Sequence, residues 1–378
     1  MAKIFARSPY IIEIDESSVV GSKVELFFYY TGSAPANPQY TLSKKVPSST
    51  NLKMYYDVSP YCRDYLEFTT RQTAIGTLPS TSGIAASANN QYVNVSIKRY
   101  KETTAGNFTL LDTTAYMCLD GYGYYSEGAN PTNANFIVAT TRYATLKQDT
   151  YYYKYNANST PASVASDRAG ILGVNATTVD GVKYTDLVTG GTTQFNTPFA
   201  SGSILYDVPT VWAGYYGNGN KLELWQGLSG GSPTLLGTWN FKPVCEPKYT
   251  PVNIDFVNKA GYWQREFFFK VSNNNINTKE STANLMQSSS HSYNTIQGQR
   301  KGFNNNGQES ISVNTGNVEE SYFETIQQIM LSEKIIIDDL PVLCNSKSLQ
   351  KQKGINQLKP ANYQLTFNYA FDAINSVI

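Results

Sequence analysis

The sequence predicts a mainly β protein, with immunoglobulin- or fibronectin-like β-sandwich domains at its N-terminal side and an antiparallel β-sheet or barrel carrying one packed α-helix at its C-terminal side. Three observations predict this. Tyrosine is abundant at 29 residues, aromatics reach 13%, and Asn, Ser, Thr and Gly dominate the polar positions, so strand formers alternate with turn formers along the chain. From Asn362 to Phe371 the apolar Tyr363, Leu365, Phe367, Tyr369 and Phe371 alternate strictly with Asn362, Gln364, Thr366, Asn368 and Ala370, a period-two pattern that only a strand satisfies. Helical spacing stands out in one place, Asn317 to Ser332, where Val318, Tyr322, Ile326, Ile329 and Met330 recur against Glu320, Glu324, Gln327 and Gln328.

At the N-terminal side, strands are expected at Tyr10–Ile14, Val24–Tyr30, Tyr40–Lys44 and Met54–Val58, with the turn-rich stretch from Gly32 to Pro38 between the second and third. Short, evenly spaced strands of this kind suit a small sandwich. Pro60 fits the first position of a short helical turn through Glu67, because its missing N–H would have no helical partner there. A further hairpin is expected from Gln91–Lys101 and Asn107–Asp112, with Val93, Val95 and Ile97 on one face.

The middle of the chain reads as β without a legible topology. It holds two tyrosine runs, Tyr122, Tyr124 and Tyr125, then Tyr151, Tyr152 and Tyr153, and a hairpin from Leu222–Trp225 to Leu235–Phe241. Pro243, Pro247 and Pro251 then forbid a helix and favour an extended connector. The expected division is therefore 1–114, 115–243, a linker at 244–252, and a module at 253–378.

Within that module the helix is expected to start at Asn317 as N-cap, with Glu320 three residues on as in a capping box, and to end near Lys334. Ile335–Ile337, the turn Asp338-Asp339 and Leu340–Leu343 read as a hairpin, with Pro341 confined to an edge or a strand start. An aromatic hairpin is expected over Gly261–Val271 and a strand over Glu309–Asn314, its Ile311 and Val313 on one face. Tyr322, Ile326, Ile329, Tyr363, Leu365, Phe367, Tyr369 and Phe371 form the expected module core. Asn273–Asn294 and Gln297–Gln308 are polar and glycine-broken, and read as long arms that order against a neighbouring copy.

Charge and motif content exclude several function classes. The formal net charge is +1 and charged residues make up 16%, so no global field favours nucleic acid or an acidic lipid surface. Lys347, Lys351, Lys353 and Lys359 form the one positive cluster, without interleaved aromatics for base stacking, and read as a solvated loop. No apolar run reaches the length of a membrane span, and the N-terminal residues lack a secretory apolar core, so synthesis and folding in a cytoplasm are expected. Cys62, Cys118, Cys245 and Cys344 show no metal-ligand spacing and are expected as buried, reduced thiols. The single histidine, His291, lies in a serine-rich polar segment without a nucleophile or acid beside it, and no phosphate-binding glycine loop is present, so no enzyme, cofactor or metal site is expected. Exposed aromatics make sugar platforms and protein hot spots alike, which marks Tyr122, Tyr124, Tyr125, Tyr151, Tyr152 and Tyr153 as candidate partner or glycan contacts, with Trp212, Tyr215 and Tyr216 as further aromatics.

Several of these segments together resemble a known family. Arg7-Ser8-Pro9-Tyr10-Ile11-Ile12, Tyr40-Thr41-Leu42-Ser43-Lys44 and Val58-Ser59-Pro60-Tyr61 look like structural proteins of tailed bacteriophages, particularly those infecting Bacteroidota. Gly261-Tyr262-Trp263, Gly298-Gln299-Arg300-Lys301, Leu331-Ser332-Glu333-Lys334-Ile335 and Asn362-Tyr363-Gln364-Leu365-Thr366-Phe367 extend the resemblance to the C-terminal module. That module is similar to the one with which tail-tube and distal-tail proteins close rings. The resemblance implies a virion component of the tail or baseplate, a ring of six-fold or twelve-fold type (hexamer or dodecamer), contacts with other virion proteins and with a host surface, and no specific nucleic-acid binding. In distal-tail proteins the ring module comes first, whereas here it comes last, which leaves adaptor, collar and baseplate positions open. The alternative reading is a receptor-binding or glycan-binding tail fibre or adhesin.

Overall fold

The computed structural model describes residues 1–67, 84–87, 91–131, 136–139, 142–155, 170–175, 179, 181–196, 202–228, 232–246, 248–285, 296, 298–351 and 361–375. The chain is mainly β, with several antiparallel sheets and one well-packed helix, as its composition and alternation predict. It forms two compact units, Met1–Pro247 with Asp255–Phe267, and Lys248–Ile254 with Phe268–Ile378.

In the first unit the chain forms β1 (Ala2–Phe5), β2 (Ile11–Ile14), β3 (Gly21–Tyr29), β4 (Tyr40–Lys45), β5 (Met54–Asp57), α1 (Ser59–Arg63), β6 (Ala85–Ala86), β7 (Val93–Thr104) and β8 (Asn107–Leu119). It continues through β9 (Ile137–Ala139), β10 (Arg142–Ala144), β11 (Thr150–Lys154), β12 (Ile171–Asn175), β13 (Gly181–Asp186), β14 (Thr192–Phe195), β15 (Tyr206–Pro209), β16 (Asn220–Gln226) and β17 (Thr234–Val244). The hairpin of β18 (Val252–Val257) and β19 (Trp263–Phe268) gives it Asp255–Phe267. Three five-stranded sheets result, ordered β1-β8-β7-β3-β4, β6-β15-β12-β10-β9 and β11-β17-β16-β13-β14, and β2 pairs with β5 as a separate ribbon.

The first sheet shows why the sequence folds this way. Val24, Leu26 and Phe28 of β3 lie in register with Arg99, Ile97 and Val95 of β7, which in turn face Asp112, Thr114 and Tyr116 of β8. One sheet face therefore gathers the apolar Val24, Leu26 and Phe28 of β3 and Val95 and Ile97 of β7, beside which β8 places the polar Asp112 and Thr114 and the ring of Tyr116. The β2–β5 ribbon covers it, burying Ile12, Ile14, Met54 and Tyr56, and the Tyr56 hydroxyl donates to the Ser22 carbonyl oxygen at 2.9 Å.

The units part in different places from those expected. Residues on both sides of position 114 share one sheet, because β6 pairs with β15. The connector expected over 244–252 begins inside a strand, since Lys242, Pro243 and Val244 pair in parallel with Tyr152, Tyr153 and Lys154. Pro243 lies beyond the last residue that β17 pairs with β16, so its missing N–H interrupts no ladder on that side. The aromatic hairpin after the connector belongs to the first unit. Gly261 turns it at φ +80°, and a side chain there would collide with the backbone of Asp120 and Gly121.

The second unit contains β20 (Asn273–Asn284), β21 (Arg300–Val318), α2 (Phe323–Leu331), β22 (Ile335–Ile337), β23 (Leu340–Cys344) and β24 (Ala361–Asp372), with sheet order β22-β23-β24-β21-β20. Asp338 and Asp339 both have positive φ, 47° and 68°, the backbone that a two-residue hairpin turn needs. Pro341 sits at a strand start, ahead of the residues that pair with β24. The helix begins later than its apolar spacing suggests. Asn317 and Val318 pair with Asn362 and Ala361, so ladder hydrogen bonds hold them in β21, and a 3-10 turn over Glu320–Tyr322 leads into α2. Ile326 and Ile329 are fully buried, and the Phe323 ring lies 6.3 Å from that of Tyr363.

The polar segments expected as arms without secondary structure are strands. β20 and β21 pair from Asn273↔Ser312 to Asn284↔Arg300. Residues 286–295 lie outside the described residues.

Candidate interaction surfaces

The two tyrosine runs do not form an exposed platform. Tyr151 and Tyr153 alternate inward from β11 and are buried, while Tyr152 between them is exposed. Tyr151 stacks on Phe241 at 5.4 Å, and the Tyr153 hydroxyl donates to the Tyr216 carbonyl oxygen at 2.5 Å. Burial pushes both phenols well above the usual tyrosine range. Tyr122 is also buried, with the Arg7 guanidinium 4.9 Å from its ring centre. The half-buried Tyr124 carries the Lys259 ammonium at 4.2 Å, and that ammonium pairs with Glu127 at 2.7 Å. Tyr125 stands fully in solvent. Trp212 packs against Tyr184 and Phe195, and Tyr216 is buried, so these aromatics are largely wall and core of their sheet.

A concave surface in the same unit was not legible in the sequence. A cleft of about 290 Å³ opens between the β2 ribbon and the face of β7 and β8, lined by Tyr10, Glu13, Arg99, Asp112, Tyr116 and Asn130 among others. The ring centres of Tyr10 and Tyr116 lie 5.5 Å apart, edge to face. Arg99 donates from Nε to Asp112 Oδ1 at 2.8 Å, closes a second bond from Nη2 to Oδ2, and donates from Nη1 to the Glu13 carbonyl oxygen at 3.0 Å. This guanidinium holds the Asp112 carboxyl below its ordinary range, and burial followed by the neighbouring Tyr116 raises the Tyr10 phenol. Asn130, at φ +55°, donates through Nδ2 to the Ile11 carbonyl oxygen at 2.9 Å and fixes one wall. No short motif announces these residues. Strand register brings them together, and register shifts between Arg99 and Tyr100 and between Glu102 and Thr104 hide the pairing from a simple count outward from the turn.

In the second unit the most exposed structure is the β20–β21 arm. β20 is an edge strand, and all but one of its residues are exposed. Arg300 to Phe303 pair with Ser281 to Asn284 and, among the described residues, with no other strand. Ile276 and Phe303 are 56% and 51% exposed, and near the end of the adjoining β24 Phe371 and Ile374 are 44% and 57% exposed, too apolar a set for a solvated edge alone. Of the expected module core, Ile326, Ile329, Tyr363, Leu365 and Phe367 are buried, Tyr322 and Tyr369 are half-buried, and Phe371 is exposed, because the alternation of β24 runs on past the layer that covers it.

Cys62 and Cys118 are buried as expected, whereas Cys245 is exposed and Cys344 half-buried. His291, Lys353 and Lys359 lie outside the described residues. Among the described residues no cluster of three or more His, Cys, Asp or Glu side chains could hold a metal ion, and no helix is long and apolar enough to cross a membrane. No protein-family model, curated protein or solved structure matches the chain.

Proposed function

We propose that this chain is a non-enzymatic structural component of a phage virion, a tail or baseplate protein of distal-tail or adaptor type that closes a ring through its second unit and attaches other tail components. The observation that carries this reading is the β20–β21 arm, a long two-stranded edge whose outer backbone pairs with no other strand among the described residues and which exposes Ile276 and Phe303. Such an edge pairs with the next copy head to tail, and heterologous contacts of this kind close by rotation into a ring. The first unit then serves to hold neighbouring parts of the particle or the host surface. The test is the solution mass of the full chain by light scattering, with negative-stain imaging, beside Ile276→Lys and Phe303→Lys. A hexamer or dodecamer that either substitution disperses supports the ring. A monomer at every concentration overturns it, and a trimer redirects the protein to a fibre.

A second reading, recognition of a host glycan, is favoured by the cleft. Its cation is compensated by Asp112 and its walls include two aromatics, which suits a neutral, hydroxyl-rich ligand better than an anion. Glycan-array binding by the full chain, lost in Tyr116→Ala and kept in Tyr152→Ala, would place recognition there; an array without signal removes this reading.

A further inference from the structure

Cys62 and Cys118 stand 56 positions apart in the chain, yet Cys118 Sγ lies 3.1 Å from Cys62 Sγ. Both side chains are wholly buried, one on α1 and one near the end of β8. Among the described residues Cys245 and Cys344 show no such pairing: the first is exposed, and the second lies 3.8 Å from the Ser346 carbonyl oxygen. We propose that Cys62 and Cys118 are a redox pair that closes to a disulfide when the folded protein meets a diffusible disulfide oxidant such as oxidised glutathione.

The step is thiol–disulfide exchange. One cysteine thiolate attacks the oxidant and releases one thiol, and the second cysteine displaces the other. Two S–H bonds and the oxidant's S–S bond are lost, one protein S–S bond forms, and the two electrons and two protons end on the two released thiols. Burial first, then the neighbouring thiol, raises the Cys118 thiol, so exchange in the closed protein is slow and needs a local opening. α1 offers one, being five residues long, without a side-chain cap and with proline at its start.

The bond would tie α1 to β8, the strand that carries Asp112 and Tyr116 of the cleft. β5 runs into α1 through Val58, whose N–H donates to the Tyr10 carbonyl oxygen at 3.0 Å, so the ribbon that walls the cleft is fastened as well. A reduced protein made in a cytoplasm and an oxidised one outside a cell would then differ in how firmly that wall is held. The pairing itself does not depend on the virion reading.

The test uses the full chain with Cys245→Ser and Cys344→Ser, which leaves only the proposed pair. It is exposed to oxidised glutathione in the folded state and, separately, during refolding in a glutathione redox buffer, where burial does not limit access. The expected result is loss of both thiols titratable in denaturant, a peptide spanning Cys62 cross-linked to one spanning Cys118, and a thermal midpoint that rises and returns on reduction. Adding Cys118→Ser, or in a second protein Cys62→Ala, abolishes the cross-link and the shift. Two free thiols after both treatments, a mixed disulfide with glutathione as the end product, or a disulfide-linked dimer would each overturn the proposal.

Discussion

The segment Asp255–Phe267 and the β20–β21 arm are both antiparallel hairpin structure, yet every residue of β19 is buried while β20 is exposed almost throughout. Hydropathy does not explain the contrast, because β19 contains Gln264, Arg265 and Glu266 in sequence. Partners do. Arg265 makes a two-pronged pair with Asp255 at 2.7 Å on each arm, Gln264 donates to Glu266 at 2.7 Å, and Asn258 donates to Gln264 at 2.9 Å. Distant parts of the first unit complete the enclosure: Tyr143 donates to the Ala260 carbonyl oxygen, and Ser87 and Tyr262 both bond Asp207. A buried hairpin is thus held by charge and shape complementarity, while the arm is held by its ladder and a few hydrogen bonds, such as those of Asn306 to Asp372 and Ile374, with nearly all of the β20 side chains exposed.

The largest expected effect breaks the buried side of this contrast. Asp255→Ala removes the two-pronged carboxylate partner of the buried Arg265 and should destabilise the first unit by about 3–5 kcal/mol, read by denaturant unfolding; a loss below about 1 kcal/mol would mean that solvent reaches the pair. Next, Leu365→Ala should cost about 2–5 kcal/mol through the cavity it leaves, and Phe371→Ala less than about 1 kcal/mol, since the two residues share a strand but not its cover. Equal losses would show that the sheet end is covered in solution.

A pH profile sharpens the comparison further. Burial lowers the Lys3 ammonium to about 8, with its Nζ held 2.6 Å from Asn175 Oδ1. Between that value and the ordinary lysine range the unfolded chain binds a proton that the folded chain does not. Stability should therefore rise with pH from about 8 by about 2–3 kcal/mol until about pH 10. Above that, Tyr143, Tyr151, Tyr153 and Tyr262, whose phenols burial raises, lose their contribution as the unfolded tyrosines ionise, so stability falls. Lys3→Met should flatten the rise; a profile unchanged by Lys3→Met would refute the assignment.

Gly261→Ala should cost about 1–3 kcal/mol, from positive φ and collision with Gly121, unless the turn rearranges. The smallest effect belongs to the arm. Thr278→Ala should change stability by no more than about 0.5 kcal/mol, and a larger loss in the isolated chain would mean that the arm already packs on something.

Legibility followed the same divide. β3, β4, β5, β7, β16, β22 and β23 were readable because each presents alternation or apolar content bounded by turn residues. β20 and the outer part of β21 were not, since a strand with neither face buried has no alternation to show, and Asn273-Asn274-Asn275 and Asn304-Asn305-Asn306 read as loop. The tyrosine runs misled for the opposite reason. Tyr151 and Tyr153 point inward from β11 and Tyr152 outward, a distinction that needs the sheet and not the run. The cleft needed the register of β7 with β8 and the return of β2 across them, contacts between residues about a hundred positions apart.

Composition and local periodicity by themselves determined that this chain is β-rich, where many of its strands lie, and that one helix packs in the C-terminal part. These are local properties, fixed by which side chains suit a pleated, half-buried backbone. Tertiary structure alone decided that Asp255–Phe267 packs with the N-terminal residues, which tyrosines face solvent, that two distant thiols meet, and that the polar arm is a strand pair. Each of those depends on a partner supplied from elsewhere in the chain, and the free energy of a buried group is set by that partner.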